Sequence, residues 1–291
     1  MTQHLSIPRK LIQYLPMLCL LCGSAGAMAN SGSVQIIAEH ELNLALAETS
    51  GLFCGEKGNF TINDSGNDPV IYQIDQQGAI IQQQTLSVQN RDWEAITGDE
   101  EHLYVGDFGN NRGNRKRFQI YKVAYQQLSE PSRIVFSYDN YDVKSNRIYE
   151  HDFDAEAMVA REDKLVLFSK SWQTKSLMVY HLDTNQSKQL LIKPVHKVTG
   201  IPGVITGADW DSANQQYVLV GYDTGLFGIT HPFIATLKRS YELQHTYKLQ
   251  GSAQVEGVCA KDNNEVWVTQ EGSAVAKAKL TKLRLHLNKA D

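Results

Sequence analysis

Residues 90–111 read NRDWEAITGDEEHLYVGDFGNN, and this stretch decides the fold. Its first half, residues 92–96, places two acidic residues beside an aromatic and a small residue. Its second half, residues 103–107, is a β-rich run that ends on an acid and is followed by Gly and Asn. Aromatic and β-branched residues favour strands, whereas Gly and Asn favour turns. The stretch therefore predicts short strands that are separated by turns.

Weaker copies of this unit recur along the chain. Five short stretches align as the start of a unit: Ser50-Gly51-Leu52, Glu94-Ala95-Ile96, Glu156-Ala157-Met158, Asp209-Trp210-Asp211 and Glu256-Gly257-Val258. The steps between their first residues are 44, 62, 53 and 47, close to the roughly 40–50 residues of a propeller blade. We therefore predict an all-β fold, a closed β-propeller of four-stranded blades. Five blades are favoured and six are the alternative, with an insertion at residues 129–151.

A small residue follows the acid in most of these copies, and Trp210 departs from this rule. Innermost strands crowd around a propeller's axis, where a large side chain would clash with its neighbours. Residues 277–288 alternate and predict a last outer strand, which residues 34–37 are expected to join. That pairing would close the ring and remove exposed strand edges.

The N-terminus predicts export. Residues 1–29 combine a basic pair at 9–10, a mostly apolar run at 11–21 and a small-x-small cleavage site at 27–29, the three parts of a secretory signal peptide. Residues 30–291 would then form a single β-propeller domain in the periplasm or outside the cell. We expect no transmembrane segment after signal cleavage.

Two of the four cysteines, Cys19 and Cys22, lie in the predicted signal peptide. Leucines rather than small residues precede Cys22, which argues against a lipoprotein. Cys54 and Cys259 remain, an even pair in an oxidising compartment, and ring closure would make their units neighbours. They are a candidate disulfide. The alternative is that their side chains point apart, because the alignment sets Cys259 opposite Phe53.

The charge of the mature chain excludes some partners. Removing two basic residues with the signal leaves 26 Lys and Arg against 32 Asp and Glu, a net charge of −6. This balance disfavours nucleic acid and anionic membranes. The basic run at residues 112–117 is short and is interpreted as a solvated loop. We expect a monomer whose partner is an unknown small ligand or protein.

Four motifs carry a family resemblance: NDSGN at residues 63–67, NRDWEAI at 90–96, GDFGNN at 106–111 and DAEAM at 154–158. Together they resemble secreted bacterial propellers of the "esterase-like activity of phytase" group, over about residues 48–270. The resemblance implies a propeller and a phytase-like hydrolytic activity. Relatives usually read Gly-Asp-Ile-Gly-Asp-Asn at the third motif. Asn110 replaces the second acid here, so one cation ligand loses its charge.

A propeller places equivalent positions of successive blades around one channel, so its acids should converge. Like charges that close are costly unless they are paired or bind a cation, and oxygen-rich clusters suit Ca²⁺. The candidate metal ligands are Asp92, Glu94, Asp107, Asn110, Asp154 and Glu156. The ligand-binding and counter-charge candidates are Asp64, Lys170, Arg91 and Trp172. The alternative is structural: the acids would cap backbone N–H groups and pair with basic side chains.

No complete catalytic constellation is present, since the sequence lacks both a Gly-x-Ser-x-Gly elbow and a His-Glu-x-x-His motif. The sequence leaves open whether the protein is an enzyme. The favoured function is a non-catalytic exported propeller that binds a ligand or protein through loops around an acidic channel mouth, with Ca²⁺ as the candidate cofactor. The alternative is a metal-dependent phosphoester or ester hydrolase of phytase-like type. Binding is favoured because few basic residues are available for phosphate.

Overall fold

The computed structural model of the chain describes residues 30–128, 130–224, 230–251, 254–273 and 276–287. Regular structure in these ranges is β-strand apart from one 3-10 turn, Leu44–Leu46. The all-β prediction is confirmed. No helix among these residues has the length and apolar character needed to cross a membrane. The predicted signal peptide, residues 1–29, lies outside the described residues.

Most strands form four-stranded antiparallel units that follow one another along the chain. Strand β1 (Asn30–Glu41) precedes the first unit, which contains β2 (Thr49–Gly55), β3 (Gly58–Asn63), β4 (Val70–Ile74) and β5 (Ile80–Thr85). The second unit contains β6 (Trp93–Gly98), β7 (His102–Asp107), β8 (Phe118–Ala124) and β9 (Ser132–Tyr138). The third region contains β10 (Ala155–Arg161), β11 (Lys164–Ser169), β12 (Leu177–Asp183), β13 (Lys188–Ile192) and β14 (His196–Val198).

The fourth unit contains β15 (Val204–Asp211), β16 (Gln216–Thr224), β17 (Thr230–Lys238) and β18 (Leu243–Lys248). The last contains β19 (Val255–Ala260), β20 (Glu265–Gln270) and β21 (Lys279–Leu287). One outer strand of the third region crosses to the neighbouring unit. Strand β13 leaves the third region to pair in parallel with β9, and β14 takes its place beside β12.

The first strand of each unit lies innermost. Strands β2, β6, β10, β15 and β19 each contact the next, and β19 returns to contact β2. The fold is thus of propeller type, with its inner strands in a ring. Glu94, Glu156 and Glu256 lie on β6, β10 and β19, so the prediction that they occupy innermost strands is confirmed.

A separate apolar core lies at each interface between neighbouring units. Between the first and second units, fully buried Trp93 packs with Phe60 and Tyr121. Corresponding clusters lie between the second and third, third and fourth, fourth and fifth, and fifth and first units. Burial of apolar area between sheets, rather than within one, therefore holds the ring together.

The expected crowding of the inner strands is present. A Cβ placed on Gly257 would lie 2.7 Å from the carbonyl carbon of Gly51 on the next strand. One on Gly51, whose φ is +80°, would lie 2.8 Å from the backbone nitrogen of Ile96. Contacts this short would push neighbouring strands apart, so only small residues fit at these positions.

The predicted alignment of the fourth unit is wrong by three residues. The β15–β16 register shifts between Ile205 and Gly207, as β6, β10 and β19 shift at their Glu-small pairs. Thr206 and Gly207 are therefore the equivalents of Glu256 and Gly257. Asp209 lies further along the strand, where its carboxylate accepts a hydrogen bond from the backbone N–H of Ala260 at 2.8 Å.

The ring is closed in two places between the first and last units. Strand β1 pairs antiparallel with β21, as residues 34–37 and 277–288 predicted, and it also pairs in parallel with β18. A disulfide joins Cys54 on β2 to Cys259 on β19, whose Cα atoms lie 5.7 Å apart. The alternative, that these two side chains point apart, is wrong.

Candidate functional site

A cavity of about 310 Å³ opens at one end of the ring's axis. Its lining is mostly polar and consists of Ser50, Asp64, Glu94, Asn111, Tyr149, Glu156, Lys170, Trp172, Tyr222, Thr230, Gln254, Glu256 and Glu271. Beneath it, residues of all five inner strands enclose a void of only about 10 Å³. The axis is therefore a blind cavity at this end, and Glu156 contributes to both its floor and the void below.

β-Bulges aim the acids into this cavity. In the registers of the inner strands, the residues skipped by the partner strand are Gly51, Glu94, Glu156, Thr206 and Glu256. A bulge turns the side chain of the extra residue out of the regular pleat. The three glutamates line the cavity or its floor, whereas Thr206 donates its hydroxyl hydrogen bond to the backbone oxygen of Val255.

The GDFGNN loop closes over the carboxylates of Asp92 and Glu94. A Cβ on Gly109 would lie 2.1 Å from Glu94 Oε1 and 2.6 Å from Asp92 Oδ2. The backbone N–H of Gly109 donates to the carbonyl oxygen of Asp92 at 3.2 Å. Glycine is required here because the backbone itself packs against the carboxylates.

Lys170, which follows β11, supplies the positive charge inside the cavity. Its Nζ pairs with Glu156 Oε1, and only 5% of the residue is exposed. Burial would lower the pKa of Lys170, but the surrounding carboxylates, led by Glu156, hold it well above its usual value. Lys170 therefore stays charged and acts as the counter-charge of Glu156.

Two cavity acids have no such partner. Glu94 is 6% exposed and Glu256 is 8% exposed. In the part of the chain that the structure describes, neither carboxylate has a hydrogen bond or an ion pair. Burial raises the pKa of both well above the usual value; the carboxylate of Glu156 adds to the rise at Glu94, whereas the charge of Lys170 opposes it at Glu256. Unpaired buried carboxyl groups of this kind are costly unless a proton or a bound cation neutralises them.

Carboxylates at the cavity wall form a candidate metal site. Asp64, Asp92 and Glu94 each offer an oxygen, and these oxygens lie within 4.8 Å of one another. The side-chain oxygens of Asn63 and Asn111 are buried without a hydrogen-bond donor among the described residues. Carboxylate and amide oxygens are the ligands that Ca²⁺ prefers, so this donor set fits the ion.

Four of the six predicted metal ligands have other bonding partners, and one of them, Glu156, is the partner of Lys170. Asp107 is fully buried and accepts hydrogen bonds from Arg115 at 2.7 Å and Gln119 at 2.8 Å. The side chain of Asn110 donates to Tyr141 Oη and to the backbone oxygen of Phe153. These contacts favour structural roles for both residues.

Asp154 is also held by fixed donors. Its carboxylate accepts hydrogen bonds from the backbone N–H of Asn110 at 2.6 Å and from Trp172 Nε1 at 3.0 Å. It still lies close enough to Glu94 to raise the pKa of that residue. Of the six candidate ligands, only Asp92 and Glu94 join the close group, and Asp64 completes it.

Arg91 was predicted as a counter-charge to the acids, but a different arginine, Arg115, has this role. Arg91 is exposed, whereas Arg115 pairs with Asp107 and approaches Asp92 at 4.0 Å. Arg115 lies in the basic run at residues 112–117, and the prediction that this run is a solvated loop is wrong for Arg115. The signal was available: a cation eight residues after an acid that ends a buried strand can fold back to that acid.

In the presence of a chelator, the protein is expected to lose stability as the pH rises from about 5 to about 8. Burial raises the pKa of Asp92 to about 6 and that of Glu271 to about 7. A raised folded-state pKa means that the folded protein binds more protons than the unfolded chain in this window, so deprotonation favours unfolding. Melting temperatures measured across this range test the trend.

The matched variants are Glu271→Gln and Glu100→Gln, the latter at an exposed position. Glu271→Gln should flatten the decline up to about pH 7, because it removes one of the titrating groups. Glu100→Gln should leave the slope unchanged. Equal slopes in wild type and Glu271→Gln would contradict the assignment.

The comparisons with known proteins concern architecture. No protein-family model matches the chain, and no curated protein matches it either. A hypothetical protein from Leishmania major is 8% identical, with 86% of this chain and 90% of that chain covered and a TM-score of 0.53. A bifunctional GH43-CE protein from Bacteroides eggerthii is 9% identical, with 84% of this chain and 34% of that chain covered and a TM-score of 0.55.

The likeness is one of fold. At 8–9% identity these similarities carry no statement about what the chain binds or catalyses. They agree with the ring of inner strands and the propeller-type architecture. The resemblance to the phytase-like group has no support among the family models or curated proteins and stays a prediction.

Proposed function

We propose that the protein is an exported, five-bladed β-propeller that binds a cationic ligand in the axial cavity, with Ca²⁺ held by Asp64, Asp92 and Glu94. The observation that carries the proposal is the group of three carboxylate oxygens within 4.8 Å of one another, two of which belong to Asp64 and Glu94 of the cavity lining. Such a group is repulsive in the absence of a cation and becomes stabilising when one binds.

Several features support the finer parts of the proposal. The ring of five inner strands and the five apolar cores between units support a count of five blades. The tripartite N-terminus supports export, and so does the disulfide, because such bonds persist in oxidising compartments. Glu94 is buried and has no hydrogen-bond or ion-pair partner among the described residues, which supports a cation rather than a structural role for the acids.

Bound Ca²⁺ would supply positive charge at the mouth of the cavity. The residues of the chain perform the rest of the task. The bulge on β6 orients Glu94, Gly109 lets the loop exclude water from one side, and the Lys170–Glu156 pair keeps the floor polar and fixed. All of these are properties of a rigid binding site.

Charge disfavours phosphoester hydrolysis, the alternative. Among the described residues that line the cavity, Lys170 is the only basic one and is paired with Glu156, while five carboxylates line the same cavity. A phosphate dianion would be repelled unless enough cations bound first. Hydrolysis of nitrophenyl phosphate and nitrophenyl acetate, each with and without Ca²⁺, would reveal this activity if it exists.

Calcium is expected to raise the melting temperature of the wild-type protein, and EGTA to lower it. At a free concentration about a hundred times its Kd, Ca²⁺ stabilises a protein by about 2.7 kcal/mol. For a chain of this size that corresponds to a shift on the order of 5–10 °C. Asp92→Asn should remove most of the shift, because it takes one charged ligand from the group.

The control is Asp68→Asn, the same change at an exposed position on the loop that carries Asp64. It should retain the full response to Ca²⁺. The sample is the mature chain recovered from the exported fraction, and an intact Met1 there would contradict export. An unchanged wild-type melting temperature between EGTA and millimolar Ca²⁺ would leave the acids with a structural role.

A further inference from the structure

The cavity extends well beyond the carboxylates of the candidate Ca²⁺ site. The lining includes Asp64 and Glu94 of the candidate Ca²⁺ site, here called the first wall, and it also includes Glu256, Glu271 and Tyr222. Its volume of about 310 Å³ is at the lower end of the range for small-molecule sites. A single metal ion at the first wall would leave most of this space and two further carboxylates without a partner.

Glu256 is the group that most needs a ligand. It is 8% exposed, and the bulge on β19 directs it into the cavity. The charge of Lys170 acts to lower the pKa of Glu256, but Lys170 forms its ion pair with Glu156 instead. In the described part of the chain, Glu256 has neither a hydrogen bond nor an ion pair. Glu271, which directly follows β20, also lines the cavity, and burial raises its pKa to about 7.

The protein already shows how this cavity holds an ammonium group. Lys170 Nζ is paired with Glu156 and lies 5.0 Å from the ring centroid of Trp172 and 5.5 Å from that of Tyr222. Aromatic faces attract cations at such distances. Tyr149 packs against Trp172 with centroids 4.9 Å apart and extends the aromatic wall. Glu256 presents a second carboxylate beside the same wall, close enough to raise the pKa of Tyr222.

We propose that the cavity binds a small organic molecule with a primary ammonium group, which donates hydrogen bonds to Glu256 and Glu271 while its carbon skeleton lies against Tyr222 and Trp172. The inference rests on the proposed function in taking this cavity as the binding site. It adds an organic ligand to the metal ion and assigns it a separate set of residues.

Other ligand classes fit less well. An anion would meet five carboxylates and a lysine that is already paired. A neutral polyol would gain neither charge-assisted hydrogen bonds to Glu256 and Glu271 nor the attraction of the aromatic faces for a cation. An ammonium group satisfies both acids and gains from the aromatic faces.

The experiment uses 1,4-diaminobutane as the probe, titrated calorimetrically into the full mature chain at fixed ionic strength. Its neutral counterpart is 1,4-butanediol, and succinate is the anionic one. The diamine is expected to bind saturably, and the diol and succinate at least tenfold more weakly. Glu256→Gln should weaken diamine binding by about 10- to 100-fold, the equivalent of a lost charge-assisted hydrogen bond. Glu100→Gln, at an exposed position, should bind as wild type does.

Two variants separate this inference from the Ca²⁺ site. Asp92→Asn should lose the Ca²⁺ response but bind the diamine within a fewfold of wild type. Glu256→Gln should do the reverse and keep the Ca²⁺ response. Diamine binding without any Ca²⁺ response would overturn the metal site alone. The amine site would be overturned if the diol bound as tightly as the diamine, or if Glu256→Gln left diamine affinity unchanged.

Discussion

Replacing both Cys54 and Cys259 with alanine is expected to lower the free energy of unfolding by about 4–5 kcal/mol. The disulfide spans 205 residues of sequence, and a cross-link over so long a loop removes much of the entropy of the unfolded chain. For a domain of this size, the loss corresponds to a fall in melting temperature on the order of 10 °C or more. Alanine is preferred to serine because Cys259 is fully buried in an apolar core.

Differential scanning calorimetry with and without reductant measures the effect. Reductant should lower the melting temperature of the wild type and leave that of the double variant unchanged. The variant should still fold, because β1 and β21 also close the ring. If the double variant and the oxidised wild type had the same melting temperature, the disulfide would add no stability beyond that of the β1–β21 pairing.

Removing the Arg115 side chain is expected to cost about 3–5 kcal/mol, because it leaves a buried carboxylate without its counter-charge. Asp107 is fully buried, and Arg115 Nη2 lies 2.7 Å from its Oδ1. Two further Arg115 hydrogen bonds, to the backbone oxygens of Gly109 and Asp107, hold the loop over the acids. Arg115→Met should therefore destabilise the protein strongly and loosen the cavity wall.

Chemical denaturation of Arg115→Met and of the double variant Arg115→Met/Asp107→Asn tests the cause. The double variant should recover part of the lost stability, since the uncompensated charge is gone. Arg112→Met is the control, because Arg112 belongs to the same basic run but is exposed. If Arg112→Met and Arg115→Met had equal effects, the pairing with Asp107 would carry no special weight.

Much of the fold could be predicted because strands and turns alternate along the chain in units of similar length. The inner-strand positions of Glu94, Glu156 and Glu256 followed from that repeat, as did the pairing of the first and last strands. The fourth unit was misaligned because Thr206 replaces the acid at the bulge. A hydroxyl that bonds to the neighbouring backbone fills the position without leaving an acidic signature.

The site was harder to predict because spacing does not show which acids point inward. A bulge, which is invisible in the sequence, sends Glu94 into the cavity. Asp107 ends β7, and Asp154 directly precedes β10. Arg115 and Trp172 lie in loops and donate hydrogen bonds to these two carboxylates. Those partners depend on how the loops fold back, and no repeat of the sequence records that.

Strand β1 pairs with both β18 and β21, and these pairings determine the order in which the fold can form. Gly32 faces both Leu287 on β21 and Tyr247 on β18, so the first strand finds its partners only near the other end of the chain. Contacts of such high sequence separation are slow to form, because a long loop must close before they contribute. The hairpins of the early units can form as soon as they are synthesised, but the two ends of the ring stay apart until residues 279–287 exist. Resistance of a growing chain to proteolysis should therefore appear late and in one step, rather than unit by unit.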